Sequence, residues 1–451
     1  MKKKTIALAL VLIICALQLC GCQSDTKEQK ATYYMVSGSW SYIDQYIYEY
    51  NKHCSNEDMK IEIVEFESEE ELANKFFAEV MAGNGPDIMG VSLISKTNIS
   101  IDKLISQDIF MDLNELLAND TQSDKLNLDD YNQHALNSGV INGKRYFIPV
   151  VYSPDVVTAY NTDLTQYIDR DFKNFESLTY SELAVMSEKY KGYLFSIEDF
   201  AKDLFYDCIN QQVDIESKTA NFNSKEFIET IDCLKSIVNS YNYTDNRYLK
   251  RNEYLFSTDG NVSIYNLASE LCCISDDGEK PIILNLPTLH NGSSAQINDA
   301  IFVNANCKNN EAVMQFIKYA LSEKVQGEIT GVNINEYNPN VSGGFGEYYP
   351  VHNGVMDTLF EKCTTLSFDK AFAENYEDSL DIKTQDKKLT STDINNIKKY
   401  MKSIDNFKLC NEYSQYDTVI KNITEDYWND KINLPQFIDK LAYITNIYLN
   451  E

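Results

Sequence analysis

Hydrophobic positions in the first third of the chain recur with the periods of alternating strands and helices. Thr32–Val36, Lys60–Phe66 and Ile88–Val91 are short apolar-rich runs typical of strands. Between them, apolar residues recur at helical spacing, first at Ile43, Ile47 and Tyr50, then at Leu72, Phe76, Phe77, Val80 and Met81. This order predicts a parallel sheet with helices on its faces, in which ligands bind beside the loops at the carboxyl ends of the strands.

The rest of the chain mixes the same two patterns. Asn142-Gly143 between apolar pairs predicts a tight hairpin, because both residues tolerate a positive φ. Residues 180–239 show mainly helical spacing, as does the segment that begins at Asn310. A glycine-rich loop is predicted over 342–346, and the tail beyond it is predicted to be helical to Glu451. Further short strands are predicted at Asp155–Tyr160, Gly260–Tyr265, Pro281–Leu286 and Ala300–Val303.

The N-terminus indicates export from the cytoplasm. Three lysines at positions 2–4 precede an apolar run from Ile6 to Leu19, which is typical of a secretory signal. The run ends in Leu19-Cys20-Gly21-Cys22, which resembles the bacterial lipoprotein processing box. That resemblance implies a signal peptide over 1–21, lipidation of Cys22 and a polar tether over 22–31. The alternative is an uncleaved membrane anchor, and both place the folded part outside the cytoplasm.

Composition excludes some functions. The 451 residues carry 40 Lys+Arg against 68 Asp+Glu, a formal net charge of −28. Such an acidic chain argues against nucleic acid as a partner, because phosphate binding requires a basic surface. The 43% hydrophobic content is that of a folded protein long enough for two or three domains.

The reactive side chains form no catalytic or metal-binding motif. The four histidines are scattered and no Cys-x-x-Cys occurs, so a zinc site has no support. No Gly-x-Ser-x-Gly motif is present either, and we predict neither a catalytic residue nor a cofactor. Eight cysteines remain beyond Cys22, and disulfides and free thiols stay equally open for them.

Several motifs, in order, resemble those of the extracellular solute-binding proteins of ATP-driven (ABC) importers, specifically the carbohydrate-type family 1 that includes maltose-binding proteins. Gly83-Asn84-Gly85-Pro86-Asp87-Ile88 is similar to that family's Gly-x-Gly-Pro-Asp-Ile turn. The hairpin segment 142–149, Tyr160-Asn161-Thr162-Asp163-Leu164, and Lys308 to Phe316 resemble further family segments. Leu286-Pro287-Thr288, Tyr349-Pro350-Val351 and the closing residues 434–451 complete the resemblance.

The resemblance implies an α/β fold of two lobes around a ligand cleft, the type II periplasmic-binding-protein architecture. One lobe would comprise 32–150 with 286–340, and the other 151–285 with 341–451. A ligand would bind between the lobes, which close on it by a hinge motion, and the closed monomer would dock onto an ABC permease. Where maltose-binding proteins place an aromatic residue after Pro-Asp-Ile, this chain has Met89 to Ser92, so a maltose-type sugar is not supported.

Candidate ligand-binding residues lie in loops at the expected cleft. Each has a structural alternative: packing for the aromatic residues, helix capping for the serines and bracing of a turn for Asp87. The candidates are Ser37, Ser39, Trp40, Asp87, Tyr152, Ser153, Tyr265, Asn266, Tyr348 and Tyr349.

The sequence thus predicts a lipid-anchored, non-enzymatic binding protein for a solute, in particular a carbohydrate or oligosaccharide. An anchored glycan-active enzyme is one alternative. A binding protein for a peptide or another non-sugar solute, or one that serves a sensor, is the other.

Overall fold

A computed structural model gives the fold of most of the chain. It describes residues 30–39, 41–97, 99–120, 124–214, 217–241, 249, 253–258, 264–272, 278–287, 293–329, 348–364, 389–409 and 415–450. The predicted signal, Cys22 and most of the tether lie outside these residues, as do Trp40 and the glycine-rich loop 342–346. In the described part, no helix is both long and apolar enough to span a bilayer.

The predicted strand and helix alternation is confirmed at the start of the chain. The order is β1 (Thr32–Val36), α1 (Tyr42–His53), β2 (Glu62–Phe66), α2 (Glu69–Met81) and β3 (Ile88–Gly90). Strand β1 lies between β2 and β3 and is parallel to both, as the pattern predicts.

The buried stripe of α2 is narrower than predicted. Leu72, Phe76 and Val80 are buried, whereas Phe77 and Met81 are 56% and 61% exposed. Each exposed residue follows a buried one directly, and one residue turns an α-helix by about 100°. The predicted apolar stripe includes these two side chains, but the buried face of α2 does not.

The chain then continues through short helices and a hairpin to β6 (Phe147–Pro154), one of the two longest strands of the first sheet. The elements are α3 (Val91–Ser95), α4 (Ile101–Ser106), α5 (Leu113–Ala118), α6 (Gln133–Ser138), β4 (Val140–Ile141), β5 (Lys144–Arg145) and β6 (Phe147–Pro154). The predicted hairpin joins β4 to β5, with φ values of 52° at Asn142 and 80° at Gly143.

The middle of the chain builds a second group of elements. They are β7 (Val156–Ala159), α7 (Asn161–Thr165), β8 (Glu176–Ser177), α8 (Tyr180–Lys189), β9 (Tyr193–Phe195), α9 (Glu198–Asn210), β10 (Val213–Asp214), β11 (Thr219–Ala220), α10 (Lys225–Asn239), β12 (Tyr254–Phe256), α11 (Ile264–Cys272) and β13 (Ile282–Asn285). Strand β13 lies between β7 and β8 in a small sheet of its own.

The C-terminal part returns to the first sheet and then leaves it. It contains β14 (Ser294–Val303), α12 (Asn310–Leu321), α13 (Glu323–Ile329), β15 (Tyr349–Pro350), α14 (Asn353–Cys363), α15 (Ser391–Ser403), β16 (Asn406–Leu409), α16 (Gln415–Trp428) and α17 (Leu434–Asn450). The first sheet has the order β15-β6-β14-β3-β1-β2, and β16 also pairs with β14. Because β15 and β16 join this sheet, the prediction of an all-helical tail was wrong.

Two separate hydrophobic cores underlie these sheets. The first holds the apolar side chains of β1, β3, β6 and β14, and the second those of α8, α9, α10 and α16. The chain passes from the first core to the second between Val156 and Val157, and neighbouring residues of β13, Ile283 and Leu284, also divide between them. Helices α14 and α15 contribute to the first core, although the predicted division assigns residues 341–451 to the other lobe.

Candidate functional site

A polar cavity opens where two strands of the first sheet end. It lies between the start of α2, which follows β2, and helix α3, which follows β3 directly. Its volume is about 730 Å³. The lining residues are Glu69, Glu70, Ala73, Asn74, Ser92, Ser95 and Lys96. We call this site the α2–α3 cavity; it lies at the carboxyl ends of parallel strands, where the ligands of open α/β sheets bind.

The lining of the α2–α3 cavity is suited to a solute with many hydroxyl groups. Carboxylates accept hydrogen bonds, the Lys96 ammonium donates them, and the Asn74 amide and serine hydroxyls do both. The Ser95 hydroxyl donates to the Ser92 carbonyl oxygen at 2.9 Å, which fixes its direction and leaves its oxygen able to accept. Together these groups supply both donors and acceptors, as sugar hydroxyls require.

Sequence reasoning missed this set of residues. It treated Ser92 only as part of a stretch without an aromatic residue, and it used the start of α2 only as evidence for a helix. The topological rule for parallel sheets could have found both segments, because it applies to the loops after β2 and β3 as well as to the loop after β1.

The loop after β1 brings two predicted residues near the ends of the same strands. The Ser37 hydroxyl donates to Glu65 Oε2 at 2.8 Å, and its N–H donates to the Phe66 carbonyl oxygen at 2.8 Å. Ser37 is exposed, whereas the Ser39 hydroxyl is buried with no hydrogen-bond partner in the described part of the chain. Ser37 therefore ties its loop to β2, and Ser39 has hydrogen-bonding capacity to spare.

Asp87 directly precedes β3, at the end of that strand away from the α2–α3 cavity, and its carboxylate bonds to other parts of the chain. It is 2% exposed, and its Oδ2 accepts the N–H of Thr32 at 2.8 Å and the hydroxyl of Thr32 at 2.9 Å. Its Oδ1 accepts the N–H of Lys308 at 2.9 Å. The carboxylate thus joins the start of β1 to the segment before α12, in line with the bracing alternative.

We expect Asp87→Ala to lower the free energy of unfolding by about 1–3 kcal/mol, because it leaves the partly buried N–H groups of Thr32 and Lys308 without an acceptor. Urea denaturation of the full mature chain measures this change. Asp439→Ala, on an exposed position of α17, is the matched control and should change stability by at most about 0.5 kcal/mol. Equal effects of the two substitutions would contradict the bracing role.

Tyr152 and Tyr349 lie together in the interior. Their rings stack at 5.9 Å where β15 pairs with β6, and Phe407 of β16 contacts Tyr152 edge-on at 5.2 Å. Both tyrosines are at most 1% exposed, so in this conformation their rings are occupied by each other rather than presented to a solute.

The neighbouring candidates are more accessible. Tyr348 is partly buried, and its ring centroid lies 5.5 Å from that of Tyr42, the first residue of α1. Ser153 is partly buried in β6, opposite Gln296 of β14. Tyr152 also lines a second cavity, of about 300 Å³, between α6, α14 and α15. The predicted residues therefore divide between the strand ends and the β6–β14 pair rather than forming one lining.

Tyr265 and Asn266 belong to a helix, which corrects the strand predicted over Gly260–Tyr265. They are in the first turn of α11, and residues 259–263 lie outside the described part. Ile264, Leu267, Ala268 and Leu271 are buried at helical spacing, and this stripe packs into the first core. The prediction failed because a short apolar run does not distinguish a strand from the start of a helix.

The buried carboxylate of Asp299 lies beneath the two helix starts near this site. Its oxygens accept the N–H groups of Ile43 at 3.3 Å, Val91 at 3.2 Å and Ala300 at 2.9 Å. Burial raises the pKa of Asp299 to about 7, which the three N–H donors oppose and the nearby Asp44 reinforces. A carboxylate that bonds the starts of two helices controls how those helices sit relative to each other.

The described residues contain no group of three or more His, Cys, Asp or Glu side chains placed to hold a metal ion. No disulfide joins the six described cysteines to one another; they are Cys54, Cys208, Cys233, Cys272, Cys307 and Cys363. Burial raises the pKa of Cys363 to about 12, so this thiol stays protonated at neutral pH.

The sequence matches a family model over residues 45–334, which is more than half of the chain. The model describes bacterial extracellular solute-binding proteins. The chain therefore belongs to this family, as the motif resemblance predicted, and the family is extracytoplasmic. No curated protein matches the chain.

Solved structures of this class share its fold. The ABC substrate-binding protein of Listeria monocytogenes in complex with cycloalternan has 13% identity and a TM-score of 0.54, over 93% of this chain and 99% of that one. The sugar-binding protein MalE of Xanthomonas citri has 10% identity and a TM-score of 0.55, over 94% and 98%. The periplasmic oligogalacturonide-binding protein of Yersinia enterocolitica has 13% identity and a TM-score of 0.54, over 93% and 99%. The predicted two-lobed α/β fold class is confirmed.

Proposed function

We propose that this protein captures a carbohydrate, most simply an oligosaccharide, in the α2–α3 cavity and closes its second lobe over it. The observation that carries the proposal is the polar cavity at the carboxyl ends of β2 and β3, in a member of a solute-binding family. The sugar ligands named for the structural relatives from Listeria and Yersinia support the same solute class.

The two cores suggest the moving parts. We assign to the first lobe the described residues of 30–156 and 293–409, and to the second those of 157–258 and 415–450 with the small β7–β13–β8 sheet, because most of their apolar side chains separate in this way. Helix α11 packs on the first core, and so do α14 and α15, although the division expected from sequence gives 151–285 and 341–451 to the second lobe. Hinge closure between these lobes is the mechanism, and tighter binding to the closed state drives it.

Delivery and anchoring complete the proposal. The closed protein passes its solute to an ABC permease, and the lipid on Cys22 keeps it at the outer face of the membrane. The tether over 22–31 separates the acidic body from the anionic lipid surface, so acyl chains rather than surface charge provide the adhesion. The protein performs no chemistry on its solute and acts as a monomer.

We expect at least one member of a trisaccharide panel (maltotriose, cellotriose, xylotriose and chitotriose) to raise the melting temperature of the mature chain. At 100 times Kd, a single-site ligand adds about 2.7 kcal/mol of stability, which is a shift of a few degrees. Differential scanning fluorimetry measures it, with dipeptides and polyamines as the comparison set. A shift with peptides or amines alone would contradict the carbohydrate assignment, and turnover of any glycan would favour the enzyme alternative.

A further inference from the structure

Asp299 connects three parts of the first lobe through one buried side chain. It lies on β14, is 3% exposed, and bonds the second residue of α1 and the first residue of α3. The register of β14 against β6 is irregular on both sides of Asp299, where the residue faces Val151. The contacts therefore link the central pair of strands to two helix starts.

Helix α3 depends on this outside acceptor. Its N-cap is Gly90, which has no side chain to cap the helix, so the N–H of Val91 takes its acceptor from Asp299. Gly90 also permits the close approach: a Cβ there would lie 3.0 Å from Ile43 Cγ1 and 3.4 Å from Asp299 Oδ1. Helix α1 has its own cap, because the Ser41 hydroxyl accepts the N–H of Asp44. Asp299 therefore adds a second link at α1 and supplies the side-chain cap that α3 lacks.

The surroundings do not neutralise Asp299. The titratable groups that face it are Asp44, Tyr33 and Tyr46, and all three are buried. Asp44 in turn accepts the hydroxyl of Tyr33 at 2.6 Å. A buried carboxylate without a cation among these groups costs free energy, and the backbone N–H groups are what offset it.

We propose that Asp299 is a positioning residue for solute capture: by bonding the starts of α1 and α3 it holds α3 against α1, and so places the α3 side of the α2–α3 cavity. Helix α3 carries Ser92 and Ser95 and is followed by Lys96, so a shift of its start moves three lining residues together. Asp299 lies on β14, which pairs with β6, and the chain leaves β6 for the second lobe. The site is therefore also connected to the strands that lead to that lobe. This inference rests on the proposed function for its consequence, but its geometry is independent of the solute.

Hydrogen exchange of the ligand-free mature chain tests the geometry. We expect Asp299→Asn to raise amide exchange about tenfold in at least one of the segments 38–50 and 86–97. Asp299 Oδ2 accepts the N–H of Ile43 and Oδ1 that of Val91, whereas asparagine keeps one acceptor oxygen and turns its NH₂ group towards the other donor. The matched control is Asp112→Asn, since the Asp112 Oδ1 also accepts two backbone N–H groups, from Asn114 and Arg145, both at 3.0 Å. The control should leave exchange outside 112–115 and 144–146 unchanged, because asparagine keeps the Oδ1 acceptor that both donors share. Unchanged exchange in both helix starts of Asp299→Asn would overturn the proposed link.

Affinity separates positioning from mere stability. Calorimetry with the trisaccharide that gives the largest melting shift should show at least tenfold weaker binding for Asp299→Asn, at a temperature where both variants are fully folded. Asp112→Asn should bind as the unsubstituted protein does. Equal affinities of the two variants would overturn the positioning role even if the exchange results hold. The proposed function is tested separately: it fails if no trisaccharide of the panel raises the melting temperature of the unsubstituted protein.

Discussion

Tryptophan in place of Ala73 should abolish solute capture while leaving the fold intact. Ala73 lines the α2–α3 cavity from the second turn of α2 and is partly exposed, so a larger side chain can extend into the cavity without entering the core. An indole there takes up space that a trisaccharide requires, and it covers the neighbouring polar groups. We expect at least a 100-fold loss of affinity, which is about 2.7 kcal/mol or more, measured by calorimetry with the panel sugar that binds the unsubstituted protein.

The same helix offers a control for this substitution. Ala78 is exposed on α2 and does not line the cavity, so Ala78→Trp introduces the same side chain with the same helix propensity. This variant should retain the affinity of the unsubstituted protein, and both variants should melt within a few degrees of it. Normal binding by Ala73→Trp would move the solute site away from the α2–α3 cavity.

Local sequence patterns were sufficient for the elements whose partners are near in the chain. The β1–α1–β2–α2–β3 order follows from apolar spacing alone, because β1 pairs with β2 and β3 of the same short segment. The Asn142-Gly143 turn is equally local, since two residues with positive φ determine it. The motif resemblance added the family and the two-lobed fold, which spacing could not have given.

Elements that depend on distant partners could not be predicted in this way. Strand β16 is partly exposed along its length and owes its conformation to pairing with β14, more than 100 residues earlier. Tyr152 was a reasonable cleft candidate from its position after the hairpin, but Tyr349 and Phe407 cover its ring from β15 and β16. Neither contact is encoded near residue 152, so the sequence could not show that this tyrosine is buried.

A second carboxyl group, that of Asp155, lies where the chain passes between the two cores. The N–H of Asp155 donates to the Ser294 carbonyl oxygen at 2.9 Å, and its own carbonyl oxygen accepts the N–H of Leu286 at 3.1 Å. Its Oδ2 accepts the Ser294 hydroxyl at 2.6 Å. Nearby, Lys408 of β16 pairs with Asp207 of α9 at 2.8 Å, which connects an element of the first sheet to the second core. Asp155 therefore joins two of the segments that pass between the cores.

The unfolding free energy of the mature chain should fall as the pH rises from about 4 to about 7. Burial raises the pKa of Asp299 to about 7 and that of Asp155 to about 6, from the ordinary aspartate value of 3.8. In this window the folded state binds protons that the unfolded state has released, so each unit of rising pH favours the unfolded state. For Asp299 the change is on the order of 2–4 kcal/mol, since one pKa unit corresponds to about 1.4 kcal/mol.

Urea denaturation at intervals of half a pH unit measures this dependence, and substitutions assign it. Asp299→Asn should remove about half of the decline between about pH 5 and pH 7, because an amide does not titrate. Asp155 and Asp102, whose pKa values burial raises to about 6, account for the rest. Glu57→Gln is the control: Lys60 holds the pKa of Glu57 below its usual value, so this group titrates below the window. Its loss should leave the slope at pH 5–7 unchanged. If Asp299→Asn retains the full slope, then Asp299 is ionised throughout this range, and its three N–H donors outweigh the cost of burial.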